Sequence, residues 1–336
     1  MVKKILVFGA TGHLGAYTAL HLKELGYEIV AVGHRTSDNG FFTTKNIHYI
    51  GGFALENENS YSNLPTDIDA VVHLAGTMPA HADAKPMPYI QSIVVGMVNL
   101  CEWLKNSTQC KRVIFNTTPS DVCAFFGTDN PVPDDAPRSF PKDGGDHAIY
   151  AIAKTAAADI LESYKYSAGI SSCVFRHLTV YGYQPNPYYS LNGIKKMLPW
   201  RFIQQKAMNG ETVEVWGNAT RKKELLYIKD FTKAVECAIK SDVEGYFNLS
   251  GDRPYTLEDQ IDGIIEVFNP ADKKSKKIYC PEKPNTPQNL LDSSKARKLM
   301  NWHPQYSWIK ALLDMKKEMN DEPFAVLWGR YSDFCQ

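Results

Sequence analysis

The sequence predicts an α/β protein, a doubly wound parallel sheet joined to a smaller C-terminal α/β domain. Three observations carry that prediction. Short apolar runs alternate with stretches of helical period through the first half of the chain. The first run passes through a glycine-rich turn straight into a helix pattern. Near Tyr181 the regularity stops, in a loop rich in Pro, Tyr, Asn and Gly. In order, the strands are expected at 5–8, 28–32, 70–74, 112–115 and 172–175, with a returning strand at 246–249. Helices are expected at 14–25, 89–105 and 148–167. Right-handed crossovers between such units give a Rossmann-like sheet. The domain division that follows is 1–180 plus about 227–250 for the sheet, and 181–226 plus 251–336 for the smaller domain.

Composition excludes several classes of function. The 336 residues carry 37 Lys+Arg and 37 Asp+Glu, so neither nucleic acid nor an anionic membrane attracts the chain as a whole. The basic run at 273–277 reads as a solvated loop for the same reason. Mean hydropathy is −0.32, and no apolar run approaches the roughly 18 residues of a membrane span. The apolar stretch 5–8 is too short for a secretory leader. Seven scattered cysteines without a C-x-x-C pair predict neither a disulfide framework nor a metal site, and fit a reducing, cytoplasmic setting.

The glycine turn reads Gly9-Ala10-Thr11-Gly12-His13-Leu14-Gly15. Gly9 permits the tight turn, Gly12 admits a pyrophosphate close to the backbone, and Gly15 lets helix and strand pack closely. The helix start then offers free N–H groups, those of His13 and Leu14 among them, and the positive end of a dipole. A nicotinamide dinucleotide is the ligand this arrangement predicts. At the tip of the second strand, where a carboxylate would hold an adenosine ribose, the chain reads Gly33-His34-Arg35-Thr36-Ser37. Gly33 leaves room and Arg35, with His34, can meet a 2′-phosphate, so NADP(H) is preferred over NAD(H). Asp38 keeps NAD(H) possible.

Tyr150 and Lys154 stand four residues apart on one face of a predicted helix. A phenol titrates near pH 10, and a neighbouring ammonium lowers that value, which suits proton exchange with a substrate hydroxyl or carbonyl.

Taken together, Gly9–Gly15, the strand end Asp69-Ala70-Val71-Val72-His73-Leu74-Ala75-Gly76, Tyr150–Lys154, Arg176-His177-Leu178-Thr179-Val180-Tyr181-Gly182 and 292–304 resemble the extended short-chain dehydrogenases/reductases. The tail, Asp292-Ser293-Ser294-Lys295-Ala296 through Trp302-His303-Pro304, points to the sugar-nucleotide epimerase/dehydratase branch. The resemblance covers nearly the whole chain. It implies cofactor contacts at Leu74, Ala75, Gly76 and His177, and a catalytic hydroxyl after the fifth strand, at Thr118 or Ser120. It implies a nucleotide-sugar substrate met by Tyr181 and by Lys223 or Arg221, and a homodimer built from the 89–105 and 148–167 helices. The expected activity is epimerisation or reduction of a nucleotide sugar by hydride transfer. The alternatives are an NADP-dependent reductase of another carbonyl compound and a non-catalytic NADP-binding sensor. Pro119 and Ser120 stand where dehydratases of the branch place acidic residues, which argues against dehydration unless a shifted loop brings Asp121 in. Lys223 replaces an arginine that would clasp the diphosphate. The loops 77–85, with His81, 141–147, with His147, and 181–192 are expected to select the substrate.

Overall fold

The computed structural model describes residues 3–79, 85–142, 145–191 and 193–334. Seven strands form one sheet, here β1 (Lys4–Phe8), β2 (Glu28–Val32), β3 (His48–Ile50), β4 (Ala70–His73), β5 (Arg112–Asn116), β6 (Ser171–His177) and β7 (Gly245–Leu249). All pairings within it are parallel, in the order β7-β6-β5-β4-β1-β2-β3. The order reverses between β1 and β4, the switch point where open α/β sheets bind ligands beyond their carboxyl ends. Phe8 is in register with both Val32 and His73, so three strand ends lie flush there.

The sheet is buried on both faces, which is why its strands read as unbroken apolar runs. Side chains alternate between faces along each strand. Ile5, Val7, Ile29, Ala31, Ala70 and Val72 join one core with Tyr17 and Phe231, from the helices His13–Glu24 and Ile228–Lys240. Leu6, Phe8, Val30, Val32 and Val71 join the other, under Gly96–Ser107 and Asp146–Ala168. Strand and helix expectations hold to within about three residues. The exception is β3, whose three residues are too few to show a period.

Two departures bear on the site. The expected 89–105 helix starts earlier, at Pro86–Tyr89, and passes through a π-helical segment, Ile90–Val95, before Gly96–Ser107. Single π turns in helices often mark functional positions. Ile93 within this one lies under Gly76, where a Cβ would meet its Cγ1 at 2.9 Å. The second is the turn Pro119–Asp121, which packs against Asp146–Ala168 and so brings the end of β5 to the Tyr150 helix.

The tail motif is explained by its anchors. Lys295 donates to the Tyr246 carbonyl (2.6 Å), Arg297 to that of Gly251 (2.8 Å), and the fully buried Trp302 to that of Asp230 (2.9 Å). It fastens the C-terminal helices to β7. The basic run is less solvated than expected: Lys277 opens the short strand Lys277–Cys280 and pairs with Glu258 and Asp262, and Lys273 donates to the Asn209 carbonyl. No helix among the described residues is long and apolar enough to cross a membrane. No cluster of His, Cys, Asp or Glu among them could hold a metal ion.

Candidate functional site

The glycine turn forms a cradle that side chains would fill. Gly9 adopts φ 78°, and a Cβ there would lie 2.9 Å from Ala75 N. A Cβ on Gly15 would come within 2.1 Å of the Gly9 carbonyl oxygen. The turn therefore rests directly on the Leu74–Ala75 backbone. Gly12 caps the helix without a side-chain hydrogen bond, so the first N–H groups have no intrahelical partner. Around the adjoining strand ends, His13 Nε2, His73 Nε2, Thr117 Oγ1 and His177 Nε2 are buried with no hydrogen-bond partner. Buried polar atoms are ordinarily satisfied. Four orphans around the carboxyl ends of the interior strands and the helix start fit a polar ligand lying across them, and a nicotinamide dinucleotide suits both the cradle and the orphans.

The tip of β2 differs in part from expectation. The space over Gly33 is taken by the Tyr49 hydroxyl and Thr11, which a Cβ would meet at 2.7 and 3.2 Å, so it is not left free for a phosphate. Asp38 is buried and accepts from Gly40 N (3.1 Å) and Phe42 N (2.6 Å). It shapes the next turn and is not free to hold a ribose. Arg35 and His34 are exposed. Arg35 Nη1 donates to the Leu327 carbonyl oxygen at 3.1 Å.

Tyr150 and Lys154 both lie on the buried side of Asp146–Ala168, at 6 % and 2 % exposure. The expected lowering of the phenol by the ammonium is not what the geometry gives. Lys154 Nζ donates to Asn116 Oδ1 at 3.2 Å and sits 4.5 Å over the Phe115 ring. Burial brings it down to about 7. Burial, with Tyr89 alongside, pushes the Tyr150 phenol up. The phenol donates to Met78 Sδ at 3.7 Å, a weak acceptor. His73 and His177 are held neutral, near 3 and 4, by burial first and by the Lys154 charge as well. One lysine is thus felt across the ends of β4, β5 and β6.

Thr118 is buried; its Oγ1 donates to Ser120 Oγ (3.3 Å) and accepts from Ser120 N (3.3 Å). Both candidate hydroxyls therefore occupy one turn, packed on the Tyr150 helix. Asp121 is engaged elsewhere. It is fully buried and takes Arg176 Nε and Nη2 at 2.9 Å each. That pair holds the carboxylate that the shifted-loop reading needs free. His147 is exposed at the start of the helix, and His81 lies outside the described residues.

A cavity of about 430 Å³ lies beside the start of the His13–Glu24 helix. His13, Tyr181, Trp200, Arg201, Lys223 and Trp308 are in its wall, with Arg221 and Lys222. No carboxylate among the described residues lines it. Lys223 Nζ donates to the Tyr181 hydroxyl at 3.2 Å. Arg221 reaches the rim, but its Nη1 is tied to the Trp216 carbonyl (2.7 Å) and Asn285 Oδ1 (2.9 Å), so it replaces the missing clasp only in part. Tyr183, from the Pro- and Tyr-rich loop, is core. Sequence reasoning did not single out Asn116, His73, Thr117, Met78 or Arg201. The first four follow or end strands 4 and 5, and that position was their only signal.

The model of the NAD dependent epimerase/dehydratase family matches residues 5–250, and the chain belongs to that family. It is an enzyme of the oxidoreductase or isomerase type. It is 27% identical over 242 residues to a UDP-glucuronate 4-epimerase of Thermodesulfobacterium geofontis, covering 71% of this chain and 69% of that one. Its fold is similar to that of UDP-N-acetylglucosamine 4-epimerase from Methanobrevibacter ruminantium, solved with UDP-N-acetylmuramic acid. The TM-score is 0.76 at 20% identity, covering 96% of this chain and 99% of that one. It is also similar to a UDP-glucuronic acid 4-epimerase variant from Bacillus cereus bound to NAD and a fluorinated UDP-sugar. There the TM-score is 0.74 at 20% identity, over 95% and 99%.

Proposed function

We propose that this chain epimerises the sugar of a nucleoside diphosphate sugar, with Tyr150, Lys154 and Thr118 as its catalytic set and NADP(H) as its preferred cofactor. The carboxylate-free cavity carries the reading. Lys223, Arg201 and His13, with Arg221 in part, offer donors to a diphosphate, while Lys222 is paired with Asp129 at 3.0 Å; Tyr181, Trp200 and Trp308 offer flat apolar surface to a base. The anionic half of the substrate lies there, and the sugar reaches toward the ends of β4 and β5. Tyr150 exchanges a proton with the reacting sugar oxygen, and Thr118 hydrogen-bonds the same oxygen. Lys154, anchored on Asn116, supplies the positive field. A nicotinamide bound there would supply the uptake and return of a hydride. The glycine cradle and the ends of β4 and β6, with Leu74, Ala75, Gly76 and His177, hold it. With Pro119 after Thr118 and Asp121 locked on Arg176, no acidic pair among the described residues follows Thr118 to expel water, which favours epimerisation over dehydration. The absence of any free carboxylate at the β2 tip, with Arg35 exposed, supports NADP(H) over NAD(H).

The test is a panel of UDP-, GDP-, CDP- and dTDP-sugars with each of NADP⁺, NADPH, NAD⁺ and NADH, followed by chromatography and mass. A product of unchanged mass and new retention is expected. Loss of water, or a change of two hydrogens tied to free cofactor, would replace epimerisation by dehydration or reduction. An unchanged panel with cofactor bound would turn the reading to a non-nucleotide carbonyl substrate or a sensor.

The same reading makes the enzyme a homodimer in a reducing, cytoplasmic setting. Val95, Val98 and Ile152 are exposed on the two helices that would pair, and all six described cysteines are free thiols. Sedimentation velocity is expected to show a dimer that Val98→Glu with Ile152→Glu splits; a monomeric wild type at micromolar concentration ends the dimer proposal.

A further inference from the structure

The chain continues past its last long helix, Trp308–Asp321, and folds back over the cofactor cradle. Glu322 turns it at φ 45°. Phe324 is buried, with its ring 4.6 Å from Tyr17, 5.6 Å from Phe41 and stacked at 4.3 Å on Trp328. Trp328 Nε1 donates to the Thr11 carbonyl, inside the glycine turn, at 2.9 Å. The Leu327 carbonyl takes Arg35 Nη1 at 3.1 Å, and the Val326 carbonyl takes Asn39 Nδ2 at 3.2 Å. Five residues on from Val326, the Tyr331 ring stands 5.6 Å from the guanidinium of Arg201, in the cavity wall. One short segment therefore touches the glycine turn, the loop after β2 and the substrate cavity.

Terminal segments are ordinarily loose unless tied down. Here the ties go to the groups that surround the dinucleotide. The Leu327 contact matters most. A neutral carbonyl occupies one of the five guanidinium donors and leaves the full charge and the other donors in place. An exposed arginine is thereby oriented before any ligand arrives, which is how affinity is gained without a new contact. We propose that the segment from Phe324 to Tyr331 is a positioning clasp for the cofactor. The Leu327 carbonyl presents Arg35 to the 2′-phosphate, and Trp328 closes the glycine turn so that the bound dinucleotide is released slowly. The Arg35 part rests on the NADP(H) reading above.

The experiment measures dissociation rates and affinities of NADPH and NADH by stopped-flow fluorescence on the full chain. Trp328→Ala is expected to speed release of NADPH at least about fivefold and to narrow the NADPH-over-NADH preference. In an Arg35→Ala background the same change should narrow the preference no further, because Trp328 holds the segment whose Leu327 carbonyl orients Arg35. Should Trp328→Ala fail to fold, Trp328→Phe with Asn39→Ala removes two anchors and keeps the ring stack. Release rates within twofold of wild type for both cofactors, in whichever variant folds, overturn the clasp. Equal wild-type affinity for the two cofactors overturns the NADP(H) reading, and the clasp then stands or falls on the release of NADH alone. A purely structural tail would change the melting temperature and leave the cofactor ratio where it was.

Discussion

Tyr150→Phe is expected to lower kcat at least about 10³-fold while leaving cofactor affinity within a factor of about three, since positioned proton transfer contributes roughly 10²–10⁴-fold. The separation of the two effects follows from the contacts. The phenol oxygen has one described partner, the Met78 sulfur at 3.7 Å. The ring keeps its edge contact with Tyr89, at 6.3 Å, in the Phe variant. Removing the hydroxyl therefore opens no cavity and strands no strong donor or acceptor. Burial and the neighbouring Tyr89 push the phenol up, so it holds its proton across the neutral range and is set to donate. Acting as a base, it requires a charge nearby, and Lys154, one helical turn on, is the cation on its own helix face. Burial brings Lys154 down to about 7, so turnover that depends on its charge should fall as pH rises through the neutral range in the wild type. A Tyr150→Phe enzyme within tenfold of wild-type kcat would remove the residue from the mechanism.

How far the site was readable from the sequence depended on distance along the chain. The glycine cradle was legible because its spacing is local: a Cβ on Gly15 would strike the backbone of Gly9 and Ala10, within the same turn, whereas the seat of Gly9 on Leu74–Ala75 appears only in the folded sheet. Tyr150 and Lys154 were legible because helical period alone puts them on one face. The partner each would take was not. Lys154 turns to Asn116, 38 residues away, because the end of β5 stands beside that helix only in the folded sheet. Asp121 looked available until Arg176, from β6, closed on it. Asp38 looked like a ribose ligand because a carboxylate shows its charge in the sequence but not the two N–H groups that take it up. The C-terminal clasp left no trace in pattern. Its anchors are backbone carbonyls, which every residue has, and its contacts cross about 290 residues or more.

Lys154→Met should separate activity from stability in the opposite sense to most core changes. Activity is expected to fall by about 10²–10³-fold, with the loss of the charge that assists proton transfer. Stability near neutral pH should hold or rise. The lysine is 2 % exposed, and burial takes it from 10.5 down to about 7. Replacing such a buried charge by an apolar side chain of similar volume is often neutral or stabilising by about 1–4 kcal/mol. The unpartnered Asn116 Oδ1 offsets part of that gain. The pH dependence identifies the cause. Between about pH 7 and 10.5 the unfolded wild-type chain binds a proton that the folded chain lacks, so this group makes stability rise with pH across that window and contributes no slope outside it. Methionine has no such slope. The variant's advantage in melting temperature should therefore be largest near pH 7 and shrink toward pH 10, as scanning fluorimetry at pH 7, 8.5 and 10 would read. If the variant melts lower by the same amount at every pH, the buried charge is not under tension. Lys154 would then be an ordinary packing and hydrogen-bonding residue, held in place by Asn116.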